Sequence, residues 1–183
     1  MGMADQPFGS MLVHDLALKR PRVDVDSVGD PKTAEYEMVA EHVRGRVMPL
    51  SGADWVGVLG RYPEGTHRVF LEPIEARANY RVERCIRTTA LAAEVAAGES
   101  VLALASATGL HVGDLVEVGA GEEASRATII VLEGVIANIE PPLAASAAEG
   151  DPVRSLAVYD VLGVEDEAGA GHHLRLVARE VAA

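Results

Sequence analysis

The residues best suited to chemistry are the adjacent pair His172-His173 and the single cysteine, Cys85. Neighbouring residues of a strand point to opposite faces, so two such rings do not clasp one metal from a regular strand. A zinc site needs two or three further ligands. His14, His42, His67 and His111 show no ligand-type spacing, and the pair reads as surface histidines at a strand start. Cys85 stands between Arg84 and Ile86. A cationic neighbour lowers a thiol's pKa, but no pattern sets a base beside it, and a lone cysteine reads as a small buried apolar residue. Gly119-Ala120-Gly121 has the look of a phosphate loop, yet it opens no helix and Glu122-Glu123 follow it. Gly169-Ala170-Gly171 follows Glu165-Asp166-Glu167 and is no better placed. Ser51 precedes Gly52 without the spacing of a nucleophile elbow. No enzyme signature emerges, so no catalytic residue, metal or cofactor is expected.

One stretch stands out for another reason. Residues 51–66 form a glycine-rich loop around an apolar patch, with Ser51, Gly52, Asp54, Trp55, Val56, Gly57, Val58, Leu59, Gly60, Arg61 and Tyr62 as its candidate working residues. Trp55 is the only tryptophan of the chain. Two readings stay open at this level. The patch is an interaction element carried on a loop, or the loop folds back and Trp55 plugs a small core.

The elements that must position this loop follow from composition and period. The chain has 183 residues, 49% apolar and 24% charged, as a folded protein has. Sixteen basic against twenty-eight acidic residues leave a net charge of −12. That argues against duplex binding, which draws its affinity from neutralised phosphates. One cysteine excludes an intramolecular disulfide framework. No apolar run reaches membrane-spanning length. The start, Met1-Gly2-Met3-Ala4-Asp5-Gln6, lacks the basic residues and apolar run of a signal peptide, so a cytosolic soluble protein is expected. Only seven residues are aromatic, so the core must rest on aliphatic side chains and is thin.

The aromatics are also unevenly spread. Residues 86–155 contain none, hold sixteen alanines, and set Arg87, Arg126 and Arg154 against ten acidic residues. This step reads as an inserted acidic β module, 86–155, interrupting a host β domain made of 1–85 and 156–183. In the host, strands are expected over 12–18, ending before Lys19-Arg20-Pro21, over the alternating 22–26, and over 35–48 with a break near Gly45. A short helix over 34–42 is the rival to the first part of the last of these. Further strands are expected over 66–73, 157–164 and 172–181, and Val28-Gly29-Asp30-Pro31 carries turn chemistry. Within the insert, strands are expected over 100–104, 115–118 and 127–132, with 135–139 running up to Pro141-Pro142 and 90–97 as one or two helical turns from its alanine content. The fold class is therefore all-β: a small antiparallel β-barrel or sandwich with a long loop and an inserted second small β domain.

The host segments resemble the head-closure, or stopper, proteins that join heads to tails in long-tailed bacteriophages and their gene-transfer relatives. Arg44-Gly45-Arg46-Val47-Met48-Pro49-Leu50-Ser51-Gly52 is similar to that family's strand ending in V-x-P-L-S-G. Thr66-His67-Arg68-Val69-Phe70-Leu71 follows in order, and Tyr159-Asp160-Val161-Leu162-Gly163-Val164-Glu165-Asp166 with Gly169 to Leu176 resembles its last hairpin. The likeness covers 11–85 and 156–183. The family's usual short connection is replaced here by the 70 residues of 86–155. Their runs Ala97 to Asp114 and Ala148-Glu149-Gly150-Asp151-Pro152-Val153 are similar to a small β module of other phage structural proteins.

The resemblance implies a mechanical role in the virion neck, with the protein assembled in the host cytoplasm. A homo-oligomeric ring would sit below the portal and its adaptor protein, retain packaged DNA without sequence-specific binding, and meet the tail terminator or tail tube protein. The Ser51–Thr66 loop would be the channel gate. The glycines at 52, 57, 60 and 65 suit hinge-like change. A negative wall lets DNA slide, although it equally suits a surface with no DNA role. The rival from another class is a virion-surface or tail-associated β module contacting a receptor or glycan.

Overall fold

In the computed structural model, residues 12–22, 35–51, 60–165 and 173–181 are described. The expected all-β class holds: the described residues form ten strands paired antiparallel, and one 3₁₀ turn, Gly121–Glu123, is the only helical element among them. The expected 22–26 strand and 28–31 turn fall largely or wholly outside these residues, as does the turn over 166–171. The chain divides into two compact units, Met1–Arg84 with Val158–Val181, and Cys85–Ala157.

The first unit begins with β1 (His14–Arg22) and β2 (Glu35–Pro49), followed by β3 (His67–Leu71) and the earlier part, up to Arg84, of β4 (Arg81–Ala90). It is completed by the later part of β9 (Pro152–Glu165) and by β10 (Leu174–Val181). Its pairings run in a ring: β4 with β1, β1 with β2, β2 with β3, β3 with β10, β10 with β9, and β9 back to β4. The Val161 amide donates to the Tyr80 carbonyl at 2.8 Å where the ring returns to β4. Alternation explains the interior. Leu16 with Leu18 and Val69 with Leu71 are buried pairs at period two, and Val43, Val47, Val82, Val161 and Leu176 are buried as well.

The strand expected over 35–48 forms, its rival helix does not, and three other expectations are corrected here. The helix over 34–42 does not form, because a ladder with β1 runs from Arg22↔Glu35 to Leu18↔Ala40 and outweighs the helix propensity of Ala and Glu. β1 does not stop before Lys19 but continues to Arg22 on the same ladder. The irregularity of β2 is not at Gly45. It lies at 38–43, where the register slips against Leu16, Leu18 and Lys19 and where His42 takes φ 57°. That is bulge geometry. Gly45 instead pairs with His14 and Leu71, and a Cβ there would come within 2.7 Å of the Phe70 carbonyl oxygen. Glycine stands at 45 because the Leu16 and Leu71 side chains and the Phe70 carbonyl oxygen already fill the space of a Cβ, not because the strand breaks. Finally, Cys85 is exposed, not buried, with its Sγ 3.4 Å from the Arg87 carbonyl. Its strand, β4, was not anticipated, since Glu83-Arg84-Cys85 blurs the alternation around Val82.

The second unit contains β5 (Val101–Ala103), β6 (Leu115–Val118), β7 (Ser125–Glu133), β8 (Ile136–Glu140) and the earlier part of β9. The strand order is β9-β6-β7-β8-β5. Its core is aliphatic throughout, with Leu102, Val116, Ala127, Ile129, Ala137 and Ile139 at most 1% exposed. No helix forms over 90–97. Leu91 bridges Leu104 and Val95 bridges Ala147, and both side chains are buried, so tertiary pairing overrides alanine's preference. On the outer face Glu117 stands directly opposite both Arg126 and Arg154 and binds each, at 2.8 and 3.3 Å.

Candidate functional site

The candidate loop leaves β2 at Pro49 and rejoins the ring at β3. Of its named residues, Ser51, Gly60 and Arg61 are exposed and Tyr62 is half-buried, while Gly52, Asp54, Trp55, Val56, Gly57, Val58 and Leu59 lie outside the described residues. What the structure describes is the mounting of the loop.

The mounting centres on Thr66 and Tyr62. The Thr66 carbonyl accepts from the Leu50 amide, its own amide donates to the Ala178 carbonyl, and its hydroxyl accepts from the Glu180 amide, all at 2.9 Å. The two ends of the loop are thus tied to each other and to β10. The Gly65 amide donates to the Tyr62 carbonyl at 3.0 Å, closing a turn that aims the Tyr62 ring at the strands. There the ring packs with Leu50 and Val177. β10 is consequently buried on both sides, with Leu176 facing the interior and Val177 lying under Tyr62 and Leu50. The ring seats where β9 carries Gly163: a Cβ at that position would stand 2.2 Å from the Tyr62 Cζ and Oη. A glycine inside a strand marks a close approach, and this one was legible as such. Its partner was not.

Charges extend the mounting. Arg179 pairs with Glu64 on the returning segment and lies 3.6 Å from Asp160, which also holds Arg81 at 2.9 Å. Arg81 in turn stacks 3.9 Å above the Tyr36 ring. His67 Nδ1 lies 2.9 Å from the Thr66 hydroxyl, its Nε2 is 3.9 Å from Glu180, and its ring meets Tyr159 edge-on at 5.0 Å. Burial lowers the His67 pKa below its ordinary value, with Glu180 opposing, and burial raises that of Tyr159.

The outgoing side has its own fastening. The Val47 amide donates to His14 Nδ1 at 3.0 Å. Burial, with Arg84 and Arg46 nearby, lowers the His14 pKa. His42, on the bulge, instead donates from Nδ1 to the Asp15 carboxylate at 2.8 Å, and this raises its pKa.

Of the residues with chemical potential, His172 lies outside the described residues, and His173 sits with its ring 5.9 Å from that of Phe70. Among the described residues no group of three or more His, Cys, Asp or Glu side chains is placed to hold a metal. No helix of the described residues is long and apolar enough to cross a membrane. No known family and no curated protein matches the chain.

The sequence reading missed His14, Gly163 and Thr66. Only Gly163, an interior strand glycine, carried a local signal. The other two act through backbone partners that the sequence does not reveal.

Proposed function

We propose that this chain is a structural neck protein of a tailed phage or related particle, a head-to-tail connector stopper that closes the DNA channel and presents a tail-attachment surface. The observation that carries this reading is the mounting of the 51–62 segment: both ends are fastened to a hydrogen-bonded ring of strands, while Ser51, Gly60 and Arg61 face solvent. Ends fastened in this way let a loop act without disturbing the frame that carries it. The order of the V-x-P-L-S-G phrase, loop, strand and closing hairpin supports the same reading. The partners proposed are further copies of the chain in a ring, the portal-bound adaptor above, the tail terminator or tail tube protein below, and packaged DNA held without base readout.

The test is deletion of the gene in the particle-producing strain, scored by electron microscopy. Heads that are tailless and have lost DNA, with free tails beside them, are expected. Complete, full, tailed particles would overturn the reading and favour a virion-surface binding module. Deleting Val56–Gly60 alone should leave the near-ultraviolet circular dichroism of the purified protein unchanged while abolishing DNA retention or tail joining.

A further inference from the structure

We propose that the His14 imidazole is an acid-sensitive latch on the strand end that leads into the loop: neutral, it holds the Val47 amide, and protonated, it lets that amide go. The inference stands apart from the neck reading, because it concerns how the loop's outgoing strand is held, whatever the loop contacts.

The argument rests on which group donates. A backbone amide has only a hydrogen to offer, so His14 Nδ1, 3.0 Å away, must present a lone pair and the ring must carry its hydrogen on Nε2. The site that receives a second proton is therefore the one already occupied by the Val47 hydrogen bond. Binding a proton there turns an acceptor into a donor facing a donor.

The ladder cannot replace the lost acceptor. β1 starts at His14, whose partner in β2 is Gly45, so Val47 lies two residues beyond the last β1–β2 pair. The His14 side chain does for Val47 what a further residue of β1 would otherwise do with its carbonyl. Val47 remains paired with Val69 of β3, which keeps the strand in place but leaves its β1 side open. Three residues on lie Leu50 and the start of the loop.

The charged surroundings agree in direction. The described charged groups acting on His14 are Arg84 from β4 and Arg46 from β2, both cations. The carboxylate next in sequence, Asp15, points to the other face of β1 and is engaged by His42. Among the described residues a protonated His14 gains no counter-ion and meets two like charges. His67, across the loop base, differs: its protonation adds charge beside Glu180 at 3.9 Å and does not remove an acceptor from a backbone amide. Of His14, His42 and His67, His14 is thus the one whose titration removes an acceptor from a backbone amide.

The experiment uses the full chain. Amide hydrogen exchange is followed by NMR from about pH 8 to about pH 5, as protection factors corrected for intrinsic exchange. Protection of the Val47 amide should fall roughly five- to tenfold as His14 titrates, the ratio that accompanies loss of one hydrogen bond, while Val43 and Val69 stay level. In His14→Gln a side-chain carbonyl accepts without titrating, and Val47 protection should no longer depend on pH; His67→Gln should keep the wild-type profile. A long-range ¹H–¹⁵N spectrum of the unaltered protein should show the His14 hydrogen on Nε2, a readout that does not depend on any variant folding. A hydrogen on Nδ1, level Val47 protection through the His14 titration, or an unchanged fall in His14→Gln would each overturn the proposal.

Discussion

Gly163→Ala isolates the seat of Tyr62. Gly163 lies inside β9, and its φ is not in the left-handed region, so alanine meets no backbone strain there. The added Cβ does meet the Tyr62 ring, at 2.2 Å from Cζ and Oη and 2.5 Å from Cε1, well inside van der Waals contact. Either β9 shifts or the ring leaves. β9 is held by β10 on one side, with Gly163 opposite Val177, whereas Tyr62 is a side chain on a loop segment, so the ring yields first. The cost is then the burial lost by a half-buried tyrosine and by Val177 and Leu50 beneath it. That is about 1–2 kcal/mol, against the roughly 1.5–3 kcal/mol of fully burying a large apolar side chain. The alanine returns about 0.4–1 kcal/mol by restricting the unfolded chain.

All seven aromatic residues belong to the first unit, so near-ultraviolet circular dichroism during urea unfolding reports on that unit alone. Gly163→Ala should be less stable than the parent, and its loop should be cleaved faster by trypsin at the exposed Arg61. In a Tyr62→Ala background the same substitution should be neutral or stabilising, which makes the pair non-additive by about 1–2 kcal/mol. Equal destabilisation in both backgrounds would show that alanine disturbs β9 itself, and the account of Tyr62 as the element seated on Gly163 would be wrong.

Other parts of the fold make equally direct predictions. Ser125 is buried and its hydroxyl accepts from the Ala144 and Ala145 amides at 3.0 and 3.2 Å, so Ser125→Ala should cost about 1–3 kcal/mol and speed exchange of those two amides, whereas unchanged exchange would refute the bonds. Lys19 and Glu83 pair at 2.8 Å with side chains 12% and 5% exposed. Glu83→Gln should cost about 3 kcal/mol by stranding the ammonium, and Lys19→Met with Glu83→Met should recover most of it; a double variant as weak as the single one counts against this. His14 and His67 both have folded pKa values below 6.5, so the unfolded chain binds more protons just below that pH and the first unit loses stability as pH falls through it. His42 works the other way: its folded pKa is raised, and its contribution is present at low pH and fades as pH rises through that value. Urea midpoints at about pH 8 and about pH 5 should therefore show an acid loss that His67→Gln makes shallower and His42→Ala makes steeper; the opposite order would contradict the assigned directions.

Much of the fold was legible because strand formation leaves a local trace. Val69 and Leu71, or Leu115 to Val118, alternate at period two, and they are strands with one buried face. The described ends of the expected loop, residue 51 and residues 60–66, are not strand, and its central residues, Trp55 among them, lie outside the described ones. Where local preference and pairing disagreed, pairing prevailed. Ala34–His42 and Ala90–Ala97 both had helical composition, yet Glu35–His42 is strand paired with β1 and Leu91 and Val95 are bridged to distant residues. Gly45 was a visible signal that pointed to the wrong cause, since glycine marks a break and a crowded crossing alike.

By itself, then, the sequence determined the all-β class, the aliphatic core and the aromatic-free stretch 86–155, because composition and side-chain alternation are properties of neighbouring residues. Only the tertiary structure decided the bulge at His42, the seating of Tyr62 on Gly163, the three bonds of Thr66 and the hold of His14 on Val47. Each of these depends on register, and register is set by which strands meet and where their ladders end. A backbone amide left over at the end of a ladder is invisible in the sequence until its neighbouring strand is known.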